Sequence, residues 1–318
     1  MPVDTLVLDY SVILGFVQFM DVDASGSVLV TDMASSLVHL FASTGQHQAT
    51  YSMDTCLPID GYHRAWSARF ANNDRVILST MGGDMVVFDR AGNCLAAKRR
   101  LLPTTLSFCS RGDSIFVFRG VRGLGAESTS IMGVFSMDLE LERKIRLELP
   151  RLFRLNINHL GIGGRNMDCF GDGPYYKYHE DMDGRSVRRR SQVTLARPEF
   201  FVQRDEDIGR TGERMASERA SKLIGLYALD GDTRLSLFRN VGKQYRPDGA
   251  VGRNVYGLSI ASNSRKFGNV STVPPKEPRT AGHGYLYFLG DPVQMADGDV
   301  GNPTVIRYRF KAPEAADG

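Results

Sequence analysis

At 318 residues, 42% of them hydrophobic, the chain can bury a core sufficient for one large domain or two ordinary ones. Lys and Arg number 39 and Asp and Glu 36, a formal charge of +3 that argues against a dedicated nucleic-acid surface. The four cysteines, Cys56, Cys94, Cys109 and Cys169, are scattered without a C-x-x-C pair, which gives no support to a zinc knuckle or thioredoxin-type site and leaves buried free thiols in strands as the expectation.

In chain order, the apolar stretch 6–20 comes first. Asp9 and Gln18 interrupt it and no basic start precedes it, so it reads as neither a signal peptide nor a membrane span, and a soluble chain is expected. Residues 3–11 form a predicted strand without an obvious neighbour. Alternation bounded by Gly, Asn and Asp then predicts strands at 16–22, 27–32, 37–42 and 47–52, the first two joined by Ala24-Ser25-Gly26. A second unit has strands at 65–70, 75–80, 84–89 and 94–98, linked by Asn72-Asn73-Asp74, Gly82-Gly83 and Ala91-Gly92. A third covers 104–148, with a longer loop over 122–130.

From residue 152 the alternation weakens. Three strands over 166–195 are expected as a fourth unit. A fifth begins near 198–203, is interrupted by the charged insert 204–222, and resumes over 223–238. The last unit is expected to start at 255–261, to detour through the polar insert 263–284, and to finish with 285–290 and 304–310 before a polar tail, 311–318.

Phe41, Phe88 and Phe135 stand at intervals of 47 residues. A period of about 40–50 residues with several strands per unit marks a β-propeller. Dividing the length by this period gives just under seven units, and the two long inserts lower the expected count to six. The reading is a single domain over 1–318: an all-β, six-bladed β-propeller of four-stranded antiparallel blades, closed by the N-terminal strand, which completes the last blade and covers two sheet edges.

Within residues 21–46, Gly26, Val28, Val30, Asp32 and the run from Phe41 to Gly45 resemble an NHL-type repeat, G-x-[apolar]-x-V-x-D followed by a strand ending F-x-x-x-G; Phe88 to Gly92 repeats the ending. The resemblance implies a six-bladed propeller that binds proteins or other ligands on one face. Some members of that superfamily are enzymes, among them metal-dependent lactonases and an amidating lyase with three histidine ligands. Exported six-bladed propellers of bacterial cell envelopes are also similar, which implies a periplasmic or cell-envelope location.

Asp21, Asp23, Ser25, Gly26 and Asp32 match the opening of a calcium loop, D-x-D-x-S-G with an acid at the twelfth position, but strand-like flanks in place of helices assign these acids to a hairpin turn. His63, His159 and His283 fall near the starts of the second, fourth and last units. Three imidazoles converging on a central channel could hold zinc with a position open for water. Glu180, Asp181 and Asp183, followed by Arg185, Arg188, Arg189 and Arg190, read as a solvated turn and an exposed strand, or as a patch for an anionic partner. Lys98, Arg99 and Arg100 lack interleaved aromatics, and no nucleophile elbow or Cys–His arrangement is present in the sequence.

These features favour a non-enzymatic binding or scaffold module with no cofactor, which recognises a protein partner through loops such as 204–222 and 263–284. The rival is a metal-dependent hydrolase or lyase with zinc or calcium in the channel, held by His63, His159 and His283.

Overall fold

Short alternating apolar segments separated by tight polar turns fold into antiparallel strands along most of the chain. The computed structural model describes residues 2–57, 64–72, 74–80, 82–101, 105–119, 130–147, 278–295 and 298–309, with the backbone of eight further strands between 167 and 270. The chain opens with β1 (Pro2–Leu6). Sheet one holds β2 (Val17–Val22), β3 (Val28–Asp32), β4 (Leu37–Phe41) and β5 (His47–Tyr51). A single helical turn, α1 (Met53–Cys56), capped by the Ser52 hydroxyl, leads to sheet two: β6 (Ala65–Ala71), β7 (Arg75–Thr80), β8 (Met85–Asp89) and β9 (Cys94–Lys98). Sheet three holds β10 (Thr105–Arg111), β11 (Ser114–Arg119), β12 (Ser130–Ser136) and β13 (Leu141–Leu147), and sheet four holds β14 (Met167–Phe170), β15 (Gly173–Tyr176), β16 (Glu180–Met182) and β17 (Val187–Arg189). Sheet five comprises β18 (Lys222–Ala228), β19 (Thr233–Asn240), β20 (Val255–Ser262) and β21 (Lys266–Val270). Sheet six comprises β22 (Thr280–Gly282), β23 (Tyr285–Gln294), β24 (Val300–Arg309) and, outermost, β1.

Among the described residues the strands therefore form six four-stranded antiparallel sheets. The first strand of each lies beside the first strand of the next, from β2 through β6, β10, β14 and β18 to β22 and back to β2. Four-stranded antiparallel sheets set side by side through their first strands are the architecture of a β-propeller, with the first strands innermost. The register reproduces the 47-residue repeat. Phe41, Phe88 and Phe135 sit on the third strands of sheets one to three, opposite Val28, Val76 and Ile115, and in each case the ladder to the fourth strand slips at that phenylalanine.

Sheets packed on both faces need strands buried on both faces. β3 is buried at all five positions, whereas the outer strand β9 is largely exposed. Leu29, Leu40, Tyr51, Ala68, Leu78 and Phe88 fill the space between sheets one and two, and Ile77, Val87, Phe108, Val117 and Phe135 fill that between two and three. Between sheets six and one, Leu6, Leu8, Met20, Val30, Phe41, Tyr287 and Val305 pack together. The N-terminal strand joins the last sheet: β1 pairs antiparallel with β24, and Arg307 donates through Nε and Nη2 to the Asp4 carboxylate. Residues 2–14, β1 and the chain leaving it, form a clasp between sheets six and one.

Three expectations need correction. Residues 263–284 are no simple insert, because they supply β21 to sheet five and β22 to sheet six. Val255–Ser262 is consequently the third strand of sheet five and not the start of the last unit. Both β21, Lys-Phe-Gly-Asn-Val, and the three-residue β22 are too short or too polar to show a period of two. The cysteines are oxidised: Cys56 is bonded to Cys94, with Cα atoms 5.6 Å apart, and Cys109 is also in a disulfide, so no described cysteine is free. The α1 turn places Cys56 beside β9, a connection that strand periodicity cannot reveal. The insert 204–221, residues 198–203 and the tail 311–318 lie outside the described residues. No helix among the described residues is long and apolar enough to cross a membrane.

Candidate interaction face

Antiparallel order sends the β1–β2 connection and the β3–β4, β7–β8 and β23–β24 turns to the end of the ring where the innermost strands begin. At this end the β1–β2 connection exposes apolar side chains. Ile13 is 83% exposed and Phe16 55%, and Val300, at the start of β24, is 71% exposed. Leu8 and Leu14 of the same segment are buried in the core between sheets six and one, so the loop is anchored on both sides of its exposed tip.

Side chains from two sheets hold the loop in place. Asn302 of β24, 2% exposed, accepts from Leu14 N at 2.8 Å and donates through Nδ2 to Asp9 O at 2.8 Å and Val12 O at 2.7 Å. The Tyr10 ring lies on Gly301, where an added Cβ would stand 2.2 Å from a ring carbon. Asp32, at the end of β3, accepts from Phe16 N at 2.7 Å, Ala34 N at 3.1 Å and the Ser35 hydroxyl at 2.7 Å. Burial works against its ionisation, yet the bonds from Phe16 N, the Ser35 hydroxyl and Ala34 N hold the carboxyl below the usual carboxylate value. Gly15 passes so close to Ala34 that a Cβ on it would lie 2.6 Å from the alanine Cβ. Exposed Ile13 and Phe16 thus stand on a loop whose Asp9, Val12, Leu14 and Phe16 backbone groups are bonded by Asn302 and Asp32. Sequence reasoning missed it because Phe16 fits the alternation of the following strand. The one available signal was Gly15 breaking that alternation.

The acids of residues 21–32 have turn and inter-sheet work. Asp21 accepts from Phe70 N of β6 at 2.9 Å. Asp23 accepts from Ser25 N and Ser27 N, both at 2.9 Å, and from the Ser25 hydroxyl at 2.7 Å, and pairs with Arg90 of sheet two at 2.7 Å. Burial opposes ionisation of Asp23, but the Ser25 hydroxyl and Arg90 outweigh it and lower its pKa. Arg90 also reaches Ser27 Oγ at 2.7 Å and lies 5.5 Å above the Phe70 ring. The hairpin-turn reading of these acids thus extends to a link between two sheets.

His283 occupies the exposed tip of the β22–β23 turn, with φ at 53°, at the opposite end of the ring from Ile13. His63 and His159 lie outside the described residues. Among the described residues no three His, Cys, Asp or Glu side chains are grouped to hold a metal. Nearer the axis, buried Arg69 of β6 has its guanidinium carbon 5.6 Å from the centre of the Phe19 ring on β2 and 5.8 Å from that of Phe108 on β10. This cation joins three successive innermost strands. Glu180 and Asp181 on β16 stand opposite Arg189 and Arg188 on β17 in the ladder, and Asp183, Arg185 and Arg190 lie outside the described residues.

No protein-family model matches this chain, and no curated protein matches it in sequence. In fold it is similar to the crystal structure of a "Putative exported protein" from Bacteroides fragilis NCTC 9343, at 9% identity and a TM-score of 0.56 over 97% of this chain and 95% of that one. A chain of the mitotic checkpoint complex aligns over 98% of this chain and 96% of its own, at 9% identity and a TM-score of 0.49. The first likeness is one of fold, and it supports the β-propeller.

Proposed function

We propose that this protein is a non-enzymatic binding propeller of an oxidising compartment, and that it takes a protein partner at the ring end bearing Ile13, Phe16 and Val300. The observation that carries the reading is the exposed apolar tip fixed from below by Asn302 and Asp32. Exposed Ser11, Ser35 and Asp299 border it, and a polar rim around an apolar centre is the pattern of protein interfaces. Asp299 and Asp291 at the same end disfavour an anionic lipid surface. The disulfides favour export, since such bonds are rare in reducing compartments. An NHL-like relationship fits the repeat and the six sheets.

The test places a photo-crosslinking residue at position 13 and, separately, at position 283 in cells of the native host. A discrete adduct from position 13 only, lost in Phe16→Asp, is expected, with the isolated partner binding Phe16→Asp at least about tenfold more weakly. Equal adducts from both positions, or none from position 13, would remove this face from the proposal.

A further inference from the structure

Under the clasp, the β4–β5 hairpin carries an arrangement that partner binding does not use. His39 on β4 and Thr50 on β5 are ladder partners. The Thr50 hydroxyl lies 3.0 Å from His39 Nδ1 and 3.0 Å from His47 Nε2, and the two ring centres are 5.8 Å apart. A hydroxyl has one proton, so in this bridge it donates to one imidazole and accepts from the other. At least one ring must therefore present an unprotonated nitrogen. With both rings protonated, both nitrogens are donors, the Thr50 proton has no acceptor in the bridge, and two cations face each other. His39 is only 3% exposed, so its charge would also be desolvated. Burial first, then the His47 ring, hold the His39 pKa below its ordinary 6.5, with Asp32 acting weakly the other way.

The clasp rests on this hairpin. Asp9 N donates to Gly45 O at 2.9 Å, and His47 N donates to Asp9 Oδ2 at 3.3 Å. At Gly45, in the hairpin turn, an added Cβ would lie 2.0 Å from Val7 O, so the chain crosses without slack. Phe41 stands 5.7 Å from the His47 ring and packs in the cluster that includes Leu6 and Leu8. The charged groups around the pair are Asp9 on the clasp and Asp32 at the end of β3. Sheet six packs on the same face and contributes Arg307, which Asp4 holds.

We propose that the His39–Thr50–His47 bridge is a pH-sensitive latch: proton uptake by the histidine pair breaks the bridge, loosens the β4–β5 hairpin and frees the clasp from it. The closed state binds fewer protons than the open one. Opening is therefore disfavoured above pH 6.5 and grows as pH falls below it, by up to about tenfold per pH unit for each proton taken up. The latch does not depend on the proposed partner.

Hydrogen exchange of the full chain at pH 7.5 and 5.5, corrected for intrinsic rates, tests it. The Asp9 and His47 amides are expected to open about tenfold more at pH 5.5, with β7 and β8 unchanged, and the effect should vanish in the His39→Gln, His47→Gln double variant. Unchanged opening in the wild type, or a pH effect that persists in the double variant, would overturn the proposal. Should that variant fail to fold, NMR titration of the wild-type rings decides: His39 protonating below 6.5 in step with a shift of the Asp9 amide supports the latch, and ring titration without any change at Asp9 refutes it.

Discussion

Asn302 and Leu14 lie 288 residues apart and are joined by a 2.8 Å hydrogen bond from the leucine amide to the asparagine Oδ1. The same side chain serves two carbonyls of the loop, so a single residue near the end of the chain fixes the approach to the first sheet. Asn302→Ala would leave three backbone groups without their partner at a buried position. At about 1 kcal/mol net for each bond, the expected loss is about 3 kcal/mol in urea unfolding, with faster proteolysis between residues 9 and 16. A loss below about 1 kcal/mol with unchanged cleavage would show that the loop holds itself.

Gly45 and Gly298 have nearly the same backbone, with φ of 90° and 89°. Their surroundings differ. A Cβ at Gly45 meets Val7 O at 2.0 Å, whereas nothing lies within 4 Å of one at Gly298. Gly298→Ala should cost only the left-handed conformational penalty, about 1–2 kcal/mol. Gly45→Ala adds displacement of the clasp and should cost clearly more, with a larger drop in Tm and faster exchange in residues 6–9. Equal melting of the two variants would mean that the clasp is not seated tightly on the hairpin.

The first two sheets were legible because their turns, such as Ala24-Ser25-Gly26 and Ala91-Gly92, stand between segments of clear period two. The repeat of Phe41, Phe88 and Phe135 was legible for a deeper reason: each marks the same slip between third and fourth strands, and a ring of equivalent sheets repeats it. Legibility failed at β21 and β22, where pairing with longer neighbours makes strands of segments with no pattern of their own. The interaction face failed differently. Phe16 and Phe19 look alike in sequence, and only Asp32 and Asn302, brought from other strands, decide which of them belongs to the loop.

Arg90 ties sheet two to the Asp23 turn of sheet one with an ion pair, a hydroxyl and a ring contact. Its side chain is about a third exposed, so solvent screening trims the ion pair, and Arg90→Ala is expected to cost about 1–2 kcal/mol. In a double-mutant cycle with Asp23→Asn, coupling of about 0.5–1.5 kcal/mol should appear in denaturant midpoints. Additive losses would leave Asp23 with its turn alone.

The depressed carboxyls set an acid limit. Asp23 and Asp32 bind their protons less readily in the folded protein than at the ordinary 3.8. Their stabilisation is complete above that value and is lost as pH falls through and below it. The Asp32→Asn variant should be less stable at pH 7 and show a flatter decline between pH 5 and pH 3, read by Tm against pH. A wild-type profile no steeper than that of Asp32→Asn would mean that the loop amides do not favour the ionised form.

The Cys56–Cys94 bond closes a loop with a sequence separation of 38 and ties α1, at the exit of sheet one, to the outer strand of sheet two. In the chain-entropy account, a loop of this size is worth about 4 kcal/mol, drawn from the freedom of the unfolded chain. Cys56→Ser, Cys94→Ser is therefore expected to lower stability by about 2–4 kcal/mol. Because each blade packs on its neighbours, the loss should first appear as faster exchange across the contact between sheets one and two, where Tyr51 donates to Arg90 O at 2.9 Å. Thiol labelling of the unreduced, denatured protein should find neither residue reactive. Labelling of both, together with unaltered stability in the double serine variant, would remove the argument for an oxidising compartment that rests on this bond.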